Sequence, residues 1–188
     1  MKLPKEECEN AAFVLEKTIK ALKKKDAPAL KSLSDKTIHS SCTYQDSGTT
    51  TSAVLIYALS KIIEREDYKK MIDWDKFEKK AIDLFNLAID ALKKNKHEAY
   101  EKYILQTRKL LEQTAGSLKD YIKEVLRKSS INKASKLYEH GISSEQTAHL
   151  LGLSQWEIAE YLGTKTEIKQ KEKITIEKRA KIALQFFS

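Results

Sequence analysis

The chain has 188 residues, 41% hydrophobic and 33% charged, with a formal net charge of +8, enough apolar content for one medium core or for a medium and a small one. No window approaches the roughly 18 uninterrupted apolar residues of a membrane span, and MKLPKEECEN at the N-terminus lacks the apolar run of a secretory signal. A cytoplasmic protein is expected, and five glycines and two prolines among abundant Lys, Glu, Leu, Ala and Ile favour an all-α fold.

Taken in order, Glu6 to about Lys25 carries Cys8, Ala11, Ala12, Leu15, Ile19 and Leu22 at spacings of three and four, the stripe of a helix lying on a core. Cys8 and Cys42 are too few and too far apart for a disulfide framework or a zinc motif, so both are expected as free thiols, with Cys8 buried. The run Lys23, Lys24, Lys25 reads as a solvated last turn that complements the helix dipole, with phosphate contact as the functional alternative. Pro28 opens a short helix through Leu30 and Leu33 that is expected to end near His39.

His39 to Ser52, HSSCTYQDSGTTTS, is expected as the longest non-helical stretch, with Thr51 or Ser52 capping the next helix. Its hydroxyls ahead of a helix N-terminus make it a candidate anion-binding ligand loop using His39, Tyr44, Asp46, Thr49 and Thr50. An enzyme acting on RNA or nucleotides through His39 and Asp46 is the alternative this loop motivates. No Walker lysine, dinucleotide fingerprint, nucleophile elbow or paired cysteine motif accompanies it. No catalytic residue, cofactor or metal is therefore assigned, and the chain is not read as an enzyme.

Ala53 to Ile63 is apolar on nearly all sides and is expected as the buried central helix of an N-terminal bundle. Asp73 to about Lys94 places Trp74, Phe77, Ala81, Leu84, Phe85, Ala88 and Leu92 on one face. Lys94–Asn95–Lys96 should turn it into a second long helix, His97 to Lys128, giving an antiparallel hairpin whose second arm Gly116 could kink. The bundle then occupies residues 1–128, with Lys128–Asn132 as the joint to a second module, residues 129–188.

In that module Ala134, Leu137 and Tyr138 line a helix that stops at Gly141. Ser143 caps a second helix bearing Thr147, Leu150 and Leu151, and Gly152 ends it. Ser154 and Glu157 form a capping box that opens a third helix, closed by Gly163, with Trp156 packed inward. This register reads as a helix-turn-helix. The tail after Gly163 ends in a helix whose exposed side carries Lys178, Arg179 and Lys181.

The string YEHGISSEQTAHLLGLSQWEIAEYLG resembles the helix-turn-helix of small prokaryotic antitoxin-type proteins and transcription regulators, over Lys133 to Gly163 only. The resemblance implies a DNA-binding regulator or antitoxin-like protein in which the bundle dimerises, senses a signal or binds a protein partner such as a toxin. Candidate DNA contacts are Ser154 and Gln155 toward the bases and Lys165, Lys178, Arg179 and Lys181 toward phosphates. The charge is unevenly placed: residues 1–130 hold 26 Lys and Arg against 20 Asp and Glu, residues 131–163 hold 2 against 4, and residues 164–188 hold 7 against 3. The acidic motif must therefore take its grip on nucleic acid from its flanks, and a protein-interaction module that touches no DNA is the second expectation.

Overall fold

The computed structural model describes residues 3–65, 73–114 and 119–160. Every regular element among them is an α-helix: α1 Lys5–Lys24, α2 Ala27–Tyr44, α3 Ser47–Ile63, α4 Trp74–Lys93, α5 His97–Thr114, α6 Lys119–Glu139 and α7 Ser144–Leu151. A further helical stretch, α8, covers 155–160. None of these helices is long and apolar enough to cross a membrane.

The helices begin where local chemistry starts them. Asp26, Asp46 and Asp73 each accept a backbone N–H three residues on, satisfying a donor that the first turn leaves free. Lys25 and Gln45 then end α1 and α2 in the left-handed region, at φ 55° and 49°. The apolar stripes face one core, in which Leu15, Leu22, Leu55, Leu59, Phe77, Phe85, Ile104 and Leu111 are buried. Completely burying one such side chain contributes about 2–3 kcal/mol. Helix α3 is its centre and packs against α2, α5, α6 and α7, while α1 lies on α2 and α4. Cys8 is buried in this core and Cys42 is half-buried, both free.

The stretch expected as a loop from His39 to Ser52 is helical on both sides of a two-residue connection, Gln45–Asp46. Helix α2 continues past His39 to Tyr44, and Asp46, not Thr51 or Ser52, caps α3. The reason is that hydroxyls can be buried in a helix by donating to the carbonyl a turn back. Thr50 Oγ1 donates to the Asp46 carbonyl at 2.8 Å and Ser41 Oγ to that of Thr37 at 3.2 Å. Ser34 Oγ reaches across to the Ala53 carbonyl at 2.6 Å. These small side chains let α2 and α3 approach closely. Gly48 does the same toward α5, because a Cβ there would lie 2.7 Å from the Tyr100 ring.

The joint expected at Lys128–Asn132 is also helical, since α6 runs unbroken from Lys119 to Glu139. Residues 128–132 therefore lie inside a helix. A second buried cluster joins Ile38 of α2 and Ala53 and Val54 of α3 to Ala134, Leu137, Ile142, Ala148, Leu150, Leu151 and Ile158. The C-terminal helices thus sit on the bundle through shared apolar surface. Gly116, the expected kink, and the tail from Tyr161 onward lie outside the described residues.

Candidate functional site

Residues 133–160 form three consecutive helical segments whose ends follow from the glycines and the capping residues. Gly141, at φ +85°, follows the end of α6, and Gly152, at φ +64°, follows α7. The Ser143 hydroxyl oxygen accepts from the Gln146 N–H at 3.2 Å. At the start of α8 the capping box is complete: the Glu157 N–H donates to Ser154 Oγ at 3.2 Å, while the Ser154 N–H and Oγ–H donate to Glu157 Oε2 at 2.9 and 2.8 Å.

Inside the unit, Thr147 is wholly buried and its hydroxyl has no hydrogen-bond partner among the described residues. Leaving such a group unsatisfied costs about 1–3 kcal/mol. Replacing it with valine, which has nearly the same shape, is expected to raise stability by about 1 kcal/mol, a gain in Tm of about 2–4 °C in a thermal melt. Unchanged or lowered Tm would show that the hydroxyl is satisfied in solution.

The orientation of α8 differs from expectation at one residue. Trp156 is 85% exposed, and Ile158 takes the inward place. With Ser154 as the cap, Trp156 falls in the first turn on the outer side, beside the exposed Gln155 and in line with the exposed Ala159. Tyr138, grouped with the apolar face of α6 in the sequence, also stands outward, and Leu137 turns inward.

Glu157 is drawn back from that outer face. Arg127 Nε of α6 donates to Glu157 Oε1 at 2.9 Å. Hydrogen bonds from the Ser154 backbone and side chain, followed by that from Arg127, hold the Glu157 carboxyl down at about 2. It is therefore a fixed, partly neutralised anion at neutral pH. Arg108, Lys123 and Arg127 line a recess of about 290 Å³ against Gly152, Leu153 and Glu157, so α5 and α6 bring cations to the edge of the unit. Sequence reasoning missed these residues because they lie 25 or more positions before the residues they approach.

The expected contacts are thus divided. Ser154 and Gln155 are exposed together at the α8 N-terminus. Lys165, Lys178, Arg179 and Lys181 lie outside the described residues. Of the candidate ligand loop, Thr49 and Thr50 are buried in the first turn of α3, and Asp46 Oδ2 is taken by the Thr49 N–H at 2.7 Å and its hydroxyl at 2.8 Å. Tyr44 is half-buried against the main core. The exposed His39 ring meets the His140 ring edge-on, with centroids 4.6 Å apart. His39 and Asp46 therefore have different partners, and the polar loop that suggested an enzyme does not form.

One cleft does open where α7 meets the bundle. It has a volume of about 710 Å³ and lies between the N-termini of α3 and α5, with Asp46, Ser47, Lys96, His97 and Glu101 on one side and Gln146 and His149 on the other. Ser47 Oγ donates to Glu101 Oε1 at 2.5 Å across its floor. Among the described residues no group of three or more His, Cys, Asp or Glu side chains could hold a metal ion.

Fold and surface together define an all-α protein with a trihelical unit seated on a helical bundle. Comparison with protein-family models, with curated proteins and with solved structures gives no match.

Proposed function

We propose that the chain is a DNA-binding transcription regulator or antitoxin-like protein in which residues 133–160 are the reading unit. The bundle beneath it serves dimerisation, sensing or partner binding. The observation that carries this reading is the outer face of α8: Ser154, Gln155 and Ala159 are exposed together while Glu157 is tied back to Arg127. A glutamine amide at the start of such a helix can make paired hydrogen bonds to an adenine edge in the major groove. The cleft between α7 and the bundle would let a bound signal bias the seat of the reading unit.

The test is enrichment of duplexes from a random pool, followed by a polarisation titration over salt. Gln155→Ala is expected to shift the enriched sequence and to weaken the preferred duplex by about 10-fold, leaving random duplex unchanged. Affinity should fall steeply as salt rises. Absence of duplex binding at low salt rejects the reading.

Trp156 favours a second reading, a protein-docking module. A tryptophan this exposed on a mildly acidic unit is the kind of side chain that anchors an interface. In that case the chain binds no duplex at any salt concentration, and Trp156→Ala removes the anchor.

A further inference from the structure

From the groove between α1 and α2 we infer a second nucleic-acid surface, on the bundle itself, that takes single-stranded DNA or RNA. It does not depend on the reading unit proposed above.

The stripe Phe13, Lys17, Lys20, Lys24 runs at spacings of four, three and four along one side of α1, over about 16 Å at 1.5 Å per residue. All four side chains are exposed, Phe13 by 54%. Facing them across a groove of about 380 Å³ is Lys36 of α2, and the half-buried Ala29 and Leu33 also line the groove.

Asp26 also lines the groove, but the positive charge here outweighs the negative. Residues 17–36 hold seven lysines and two aspartates. Both aspartates are occupied: Asp26 Oδ1 accepts the Ala29 N–H at 2.9 Å, and Asp35 Oδ1 accepts from Lys133 Nζ at 2.8 Å. The nearest acidic residue on α1, Glu16, is paired with Lys93 at 3.0 Å. Elsewhere on the bundle Lys61 and Lys128 have carboxylate partners, whereas no ion pair joins Lys20, Lys24 or Lys36 to a carboxylate among the described residues.

The aromatic ring decides which polyanion fits. Lys17 Nζ stands 5.1 Å from the centroid of the Phe13 ring, so a stacking surface and a cation are presented side by side. A single strand offers an unpaired base to the ring and phosphates to the lysines. A duplex keeps its bases stacked away from Phe13. An anionic bilayer would want a broad apolar face, and here one ring projects. An acidic peptide has no base to stack.

The experiment is a polarisation titration of the full chain with labelled oligo-dT and oligo-U of about 15 nucleotides, a matched duplex, and anionic vesicles as a control. The triple variant Lys20→Ala, Lys24→Ala, Lys36→Ala is expected to lose at least 10-fold in single-strand affinity at low salt. Its plot of log affinity against log salt should flatten by about 2, the slope of three lost phosphate contacts. Phe13→Leu, which keeps an apolar side chain, should weaken single strands about 10-fold and leave the salt slope and duplex affinity unchanged. Both variants alter exposed positions, and circular dichroism melts check that they fold. The tighter of the two oligonucleotides identifies DNA or RNA as the natural strand. Wild-type single-strand affinity in either variant overturns the inference. So does an equal Phe13→Leu loss on duplex, or a triple-variant loss seen on vesicles alone.

Discussion

Asp35→Ala is expected to lower the free energy of unfolding by about 3 kcal/mol, whereas Lys133→Met at the other end of the same ion pair should cost less than about 1 kcal/mol. The asymmetry comes from burial. The Lys133 side chain is fully enclosed and Asp35 is 41% exposed, with Nζ and Oδ1 2.8 Å apart. Removing the aspartate strands an ammonium among α2, α3 and α6, with the Tyr57 ring 4.3 Å from Nζ. Removing the lysine charge leaves a carboxylate that water can reach. Urea unfolding of both variants measures the difference, and equal losses would refute the account.

The same pair has a pH signature. Burial, the largest cause, pushes the Lys133 ammonium below the ordinary lysine value, and the Asp35 hydrogen bond acts in the opposite direction. Between the folded value and the unfolded value of 10.5 the unfolded chain binds more protons at this group, so its contribution to stability rises with pH across that window. Asp35→Ala lowers the folded value further. Its stability deficit is expected to narrow as pH rises toward the ordinary lysine value of 10.5.

Tyr100→Ala is expected to cost about 4 kcal/mol, and its effect should be strongly non-additive with Gly48→Ala. Tyr100 is among the largest fully enclosed side chains, and its hydroxyl and that of Ser52 are hydrogen-bonded at 2.8 Å. Burial, above all, pushes the phenol well above its ordinary value of 10. In the native protein, Gly48→Ala forces its Cβ against the ring and should cost about 2 kcal/mol. With Tyr100 replaced by alanine that obstacle is gone, and the added Cβ should cost much less than it does in the native protein. A double-mutant cycle from urea titrations gives the coupling. Simple additivity would mean that Gly48 is not held by the ring.

Helices α1 and α4 were legible within a residue or two of their ends, because the spacing of Leu15, Ile19 and Leu22, or of Phe77, Ala81, Phe85 and Ala88, is a property of one segment. The capping box at Ser154 and the positive φ at Gly141 and Gly152 were legible for the same reason. The hydroxyl-rich stretch from His39 to Ser52 was not. Its residues have modest helix propensity in isolation, and their helical state depends on the close packing of α2 on α3. Trp156 was misplaced because apolar character alone does not say which way a first-turn side chain points. Once Ile158 filled the inward position, the tryptophan was left on the outer surface.

The sequence by itself determined that this is an all-α chain, where helices α1, α4 and α7 start and stop, and that the acidic segment 131–163 is flanked by basic ones. Those properties follow from neighbours within a turn or from a count. Tertiary structure alone decided that hydroxyls, not a ligand loop, fill the space between α2 and α3. It also paired Lys133 with Asp35, 98 positions earlier, and drew Glu157 back to Arg127. It further brought Lys17, Lys20, Lys24 and Lys36 around one groove that Asp26 also lines, so that groove is net positive. Each of these depends on what a distant helix brings within a few ångströms, where burial sets the cost of an unpaired charge and the value of its partner.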